Sequence, residues 1–138
     1  MTRLYLAGPM TGIQHYNFPA FDEAAAKLRE AGHTVFNPAE HDRETGFDAV
    51  ALNLKGTEAA EHGFSLRDTL KADLSWICDN AEGIAVLPGW GFSKGARVEV
   101  SLGQALKIPV QEVADWIPVP EEAVTFEPGL GFIIEDVA

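Results

Sequence analysis

The apolar run Gly83-Ile84-Ala85-Val86-Leu87 is followed at once by the turn Pro88-Gly89-Trp90-Gly91-Phe92-Ser93-Lys94-Gly95, and then by a helical pattern from Ala96 to Lys107. Few architectures accept that order. The run is short and apolar at every position, as in a strand buried on both faces. A turn with three glycines and a serine, set between a strand and a helix, aims backbone amides at an anion such as a phosphate.

The helix that follows carries an anomaly. Leu102, Gly103 and Leu106 lie three, four and seven residues after Glu99, so Glu99 falls on the stripe that should face a sheet. An acid there is costly unless it is paired or used. The helix dipole near the N-terminus favours the carboxylate, so Glu99 is expected to be ionised and to act as a nucleophile or base.

The rest of the chain repeats the alternation. Arg3 to Ala7 reads as a first strand, followed by the loop Gly8-Pro9-Met10-Thr11-Gly12, where a ligand can approach the backbone closely. A helix starts at Asn17-Phe18-Pro19, with Phe18, Phe21, Ala25 and Leu28 at helical spacing, and Gly32 ends it. His33 to Asn37 reads as a second strand, stopped by Pro38. Residues 39–65 are polar and only weakly periodic; a connection of that length reads as a lid or binding loop. Ser65 caps a helix over 66–79, with Leu66, Leu70, Leu74 and Ile77 as its apolar stripe. Asp73 falls inside that stripe, a second inward carboxylate. Lys107 to Gln111 reads as a fourth strand, and Phe132-Ile133-Ile134 as an edge strand or arm.

This pattern predicts an α/β fold: an open parallel sheet of about five strands in a flavodoxin- or Rossmann-like three-layer sandwich. Residues 1–138 form one domain, with 116–138 as a C-terminal tail or arm. If the first and third strands are neighbours, the Gly8 and Gly89 loops face each other at their carboxyl ends, where such sheets bind ligands.

Composition narrows the partners. The formal net charge of -11 argues against a nucleic-acid polymer but leaves a mononucleotide open. The single cysteine, Cys78, cannot form an intrachain disulfide and reads as a packed thiol in a reducing, cytoplasmic setting. No stretch approaches a membrane span. His15, His41 and His62 lack ligand spacing, so no metal is expected, and nothing calls for a cofactor.

Three motifs together resemble the nucleoside 2-deoxyribosyltransferases and their relatives, the 2′-deoxynucleoside 5′-monophosphate N-glycosidases. They are Tyr5-Leu6-Ala7-Gly8-Pro9-Met10, Asp73-Leu74-Ser75-Trp76-Ile77 with Asp79, and Ser93-Lys94-Gly95-Ala96-Arg97-Val98-Glu99. The resemblance runs from Leu4 to about Val110. The short phage and bacterial members of unassigned function are especially similar. It implies Glu99 as nucleophile, Asp73 as the acid that assists the departing base or holds the sugar, and Tyr5 as the group that orients Glu99. It also implies that Gly8, Pro9, Met10, Gly89, Trp90, Ser93 and Gly95 bind a nucleoside or nucleotide. In this family the position six before the glutamate is Asp in enzymes for free nucleosides and Ser in those for monophosphates. Here it is Ser93, which points to a monophosphate. Thr11 stands where the hydrolases carry an arginine, leaving Lys94, Arg97 or Arg67 to meet the phosphate. A homodimer or higher homo-oligomer is implied as well.

The expected activity is cleavage of a nucleotide N-glycosidic bond, by hydrolysis or base transfer. Two alternatives stand beside it. Leu87-Pro88-Gly89 with its following glycines resembles the loop of the lysine-decarboxylase-like phosphoribohydrolases, interrupted here by Trp90 and Phe92. The chain could also bind or sequester a nucleotide without cleaving it.

Overall fold

The computed structural model describes residues 2–119 in full, and beyond them the backbone of two strands, Val124–Glu127 and Gly131–Ile134. Four strands form one parallel sheet: β1 (Arg3–Ala7), β2 (Thr34–Phe36), β3 (Gly83–Val86) and β4 (Val110–Glu112), in the order β2-β1-β3-β4. The sheet therefore has four strands rather than five. The segment 131–134 is β6, paired antiparallel with β5 (Val124–Glu127) in a hairpin of its own.

Helix α1 (Phe18–Glu30) joins β1 to β2; α2 (Pro38–Glu44) and α3 (Leu66–Asn80) lie between β2 and β3; α4 (Lys94–Ala105) joins β3 to β4. The alternation of side chains along a strand sorts the core onto two faces. Leu4 and Leu6 of β1, with Ala85 and Leu87, meet Phe18, Phe21, Ala25 and Leu28 of α1. Tyr5 and Ala7, with Ile84 and Val86, meet Ile77 of α3 and Ala96 and Val100 of α4. The result is the three-layer Rossmann-like sandwich expected.

Trp116 packs with the α1-side cluster, its indole N–H shared by the carbonyls of Ile84 (3.2 Å) and Gln111 (3.3 Å). Among the described residues no helix is long and apolar enough to cross a membrane.

Three local expectations are corrected. The stretch after Pro38 is helical: Asn37 Oδ1 accepts from the Ala39 N–H at 3.0 Å, and Pro38 fills the first turn, where its missing N–H costs nothing. The stripe of α3 is buried only at Asp73 and Ile77, and Leu66 is 64% exposed, because α3 packs against α4 at the rim of the layer. Cys78, on the outer side of α3, is exposed.

Candidate active site

The two loops predicted to face each other do so. Leu4 to Ala7 pair in register with Gly83 to Val86, and the Leu87 N–H donates to the Ala7 carbonyl at 2.8 Å. A side chain at Gly8 would place its Cβ 2.8 Å from Leu87 Cβ, so only glycine lets the strand ends approach this closely. Gly89 (φ 82°) turns the second loop back against Pro9. Trp90 is half-buried against the α3/α4-side cluster. Met10 is half-buried and packs on the opposite cluster.

Ser93 caps α4, its Oγ accepting from the Ala96 N–H at 3.2 Å. Gly95 lies in the first turn, whose amides have no intrahelical partner, and the space where its Cβ would stand is open. The loop residues thus lie together at the carboxyl edge of the sheet, where β1 and β3 end.

Below that edge lie the acids. Glu99 is 6% exposed and Asp73 is 4% exposed. The fully buried Tyr5 donates its hydroxyl to Glu99 Oε2. The sequence places them there by simple means. Tyr5 sits in mid-strand on the face opposite Leu4 and Leu6. Glu99 is three residues after Ala96 and one before Val100, both buried. Asp73 is four residues before Ile77 on the inner side of α3. No Lys or Arg among the described residues pairs with either acid; the ion pairs are Arg3–Glu82, Lys27–Glu23, Arg29–Glu40 and Arg43–Asp22.

Their ionisation departs from expectation. Burial pushes Glu99 up to about 8; the Tyr5 hydroxyl opposes this, and the negative charges of Asp73 and Asp42 add to it. Burial thus pulls the Glu99 carboxyl toward its neutral form, against the expectation that the helix dipole would favour the carboxylate. Ser93 caps the helix and Glu99 stands six residues further on, past the first turn to which the dipole effect is confined, so desolvation wins. Asp73 is raised to about 6, again chiefly by burial, with Tyr5 and His41 working the other way. Tyr5 is raised well above its ordinary value by burial and by the two acids, so its hydroxyl stays protonated.

Asp42, on α2, has no counterpart in the sequence reading. It is 1% exposed, its Oδ1 has no hydrogen-bond partner, and burial together with Asp73 raises it to about 7 against the pull of Arg43. The capping pair Asn37-Pro38 was the available signal: it starts a helix that puts Asp42 three residues after the buried Ala39.

A cavity opens between α2 and the N-terminal end of α3, lined among others by His41, Phe47, His62, Phe64, Ser65 and Thr69. None of the residues expected to bind substrate lines it. Among the described residues no group of three or more His, Cys, Asp or Glu could hold a metal ion.

Residues 2–112 match the model of a protein family described as a domain of unknown function, DUF4406. The chain belongs to that family. The DUF4406 match ends at Glu112, the last residue of β4, so it takes in the whole parallel sheet, both loops and all the acids, and leaves the hairpin outside. No curated protein matches the chain.

Proposed function

We propose that this DUF4406 protein cleaves the N-glycosidic bond of a nucleoside 5′-monophosphate, a deoxyribonucleotide by preference, with Glu99 as nucleophile. The observation that carries the reading is the buried Tyr5–Glu99 hydrogen bond beside Asp73, below the Gly8 and Gly89 loops. The resemblance of the three motifs to the nucleoside 2-deoxyribosyltransferases and monophosphate N-glycosidases supports the same roles.

Glu99 and Asp73 titrate on either side of neutrality, at about 8 and about 6. Near pH 7 protons are therefore shared among these acids and Asp42, and their distribution belongs to the coupled group. One carboxylate and one acid are what a covalent glycoside displacement requires. Positive charge developing at the anomeric carbon draws the carboxylate form to Glu99. Its oxygen bonds to that carbon, the C–N bond breaks, and the electron pair leaves with the base, which takes the proton from Asp73. Tyr5 holds Glu99 in line. The Gly95 amide and the Ser93 hydroxyl, with the Gly8 loop, receive the phosphate. Water then bonds to the anomeric carbon as its bond to Glu99 breaks, and gives a proton to the Asp73 carboxylate, releasing the sugar phosphate and free Glu99 carboxylate; a second base can take the place of water, losing its N–H proton to Asp73.

The test is a chromatographic screen of the purified protein against common nucleosides and their 5′-monophosphates, ribo and deoxy, with and without a second free base. Free base released from monophosphates is expected, and its rate should fall roughly 10⁴-fold or more in Glu99→Gln with the fold retained. Undiminished turnover in that variant would overturn the assignment. One observation favours a second reading, a nucleotide-binding module: a neutral Glu99 both donates and accepts, as a grip on a sugar hydroxyl requires. Tight nucleotide binding by calorimetry with no base released would select it.

A further inference from the structure

Among the described residues, Asp42 is an acidic side chain whose Oδ1 has no hydrogen-bond partner to account for its burial. It stands on the inner side of α2 with Ala39 and is 1% exposed. The guanidiniums nearest in the chain are engaged elsewhere: Arg43 holds both oxygens of Asp22, at 2.8 and 3.1 Å, and Arg29 holds both oxygens of Glu40, at 2.6 and 2.7 Å. A buried acceptor left unmade is costly, and native proteins keep few of them. Asp73 Oδ1 is in the same condition. Asp42 lies near enough for its charge to act on Glu99, and that of Asp73 on it.

The surroundings describe a ligand. Phe36, Trp76 and His41 pack together next to Tyr5, with ring centroids 5.1 Å apart for Phe36–Trp76 and 5.6 Å for Phe36–His41, and the charge of His41 acts on Asp73. Tyr5 stacks on the same Phe36 at 5.5 Å. Phe36, Trp76 and His41 are half-buried, and His41 also lines the cavity beside α2. Flat apolar faces next to unfilled acceptor oxygens are the complement of a planar heterocycle with N–H groups at its edge.

We propose that Asp42 is a specificity residue of the candidate active site: its Oδ1 accepts a hydrogen bond from an exocyclic amino group of the base, which lies against the rings of Phe36, His41 and Trp76. This rests on the glycosidase reading and adds to it the class of base, an amino-bearing one. It assigns Asp42 no part in bond cleavage. Asp73 keeps the proton-transfer role, and the two acids meet different parts of the base. A site that must hydrogen-bond a substrate N–H rejects the analogue without it, because the buried acceptor is then left unfilled.

The experiment compares the wild type with Asp42→Leu and Asp42→Asn on deoxynucleoside 5′-monophosphates in matched pairs, adenine against hypoxanthine and cytosine against uracil. The wild type should prefer the amino-bearing member in kcat/KM by about 10- to 100-fold, the worth of one hydrogen bond to a charged group. Asp42→Leu should erase the preference and raise Tm, since an unfilled buried acid has been removed. Asp42→Asn, which keeps an acceptor oxygen, should retain part of the preference and serves if the leucine variant does not fold. A wild type indifferent to the amino group, or variants that slow both members of a pair equally, would overturn the inference. Calorimetry with the same nucleotides separates the two levels. An Asp42-dependent preference in binding without release of base upholds this inference and overturns the glycosidase reading. No binding of any of them overturns both.

Discussion

On one face of the sheet Leu4, Leu6, Ala85 and Leu87 meet Phe18, Phe21, Ala25 and Leu28 in an apolar cluster. On the other, Tyr5, Ala7, Ile84 and Val86 meet Ala96, Val100 and Ile77, and the carboxyls of Glu99 and Asp73 are buried beside them. The same strands supply both, by alternation alone. The first face gains stability from burial, roughly 25 cal/mol for each Å² of apolar surface. The second gives part of that gain back by desolvating acids. The packed apolar face and the acid-bearing face are thus separated by the thickness of a strand.

The strongest way to break that separation is Phe21→Ala. It empties a site 1% exposed and should cost about 3–5 kcal/mol in thermal or denaturant unfolding, with kcat unchanged wherever the protein is folded. A kcat that falls further than the folded fraction would show the faces to be coupled.

The acid face should announce itself through pH. Asp73, Asp42 and Glu99 all have folded values raised, to about 6, 7 and 8. Their contribution to stability is complete below the ordinary carboxyl range, about 4. It is lost as pH rises through the folded values, because the native state holds protons that the unfolded chain has released. Stability measured by urea titration should therefore decline between about pH 4 and pH 8, and Glu99→Gln should flatten the upper part of the decline. A stability that rises across this interval would contradict the burial of the acids.

Tyr5→Phe sharpens the comparison further. It leaves a buried carboxyl without its donor and should cost about 1–3 kcal/mol. It should also move the rising limb of the kcat/KM profile to higher pH, since the hydroxyl holds Glu99 down. An unchanged profile would remove Tyr5 from the site. The smallest effect belongs to neither face: Glu23→Ala breaks an exposed pair with Lys27 on α1 and should change stability by about 0.5 kcal/mol at most.

Much of this arrangement can be read in the chain. Short apolar runs next to glycine mark β1 and β3, the two central strands of the parallel sheet. An acid at a core position of a helical stripe marks Glu99 and Asp73. Asp42 was not legible, because in Pro38-Ala39-Glu40-His41-Asp42-Arg43-Glu44 every residue after Ala39 is polar and periodicity has nothing to act on. The charge state of Glu99 was not legible either, since it depends on how completely α4 and the sheet exclude water. Leu66 and Leu106 fit their stripes but are exposed, because both sit at helix ends that overhang the sheet. The connection over residues 39–65 read as a lid or binding loop; it lines the cavity beside α2 and is fastened at one edge, where Gly12 and His15 donate to the carbonyls of Gly56 and Leu54 and the Tyr16 hydroxyl accepts from the Ala59 N–H. Backbone bonds of that kind leave no trace in residue type.

The Tyr5–Glu99 bond spans 94 positions along the chain. It also requires β3 to settle beside β1, which joins Leu4 to Gly83 across the entire α1-to-α3 segment. Contacts of such separation form slowly, because a large loop must close before any reward arrives. The α1 face needs the same closure, because Ala85 and Leu87 pack there against α1, and the acid-bearing face needs it too. Every intermediate that lacks the β1–β3 pairing leaves the acids hydrated and inactive. A chain cut anywhere between β1 and α4 should therefore lose the Tyr5–Glu99 bond together with the β1–β3 pairing.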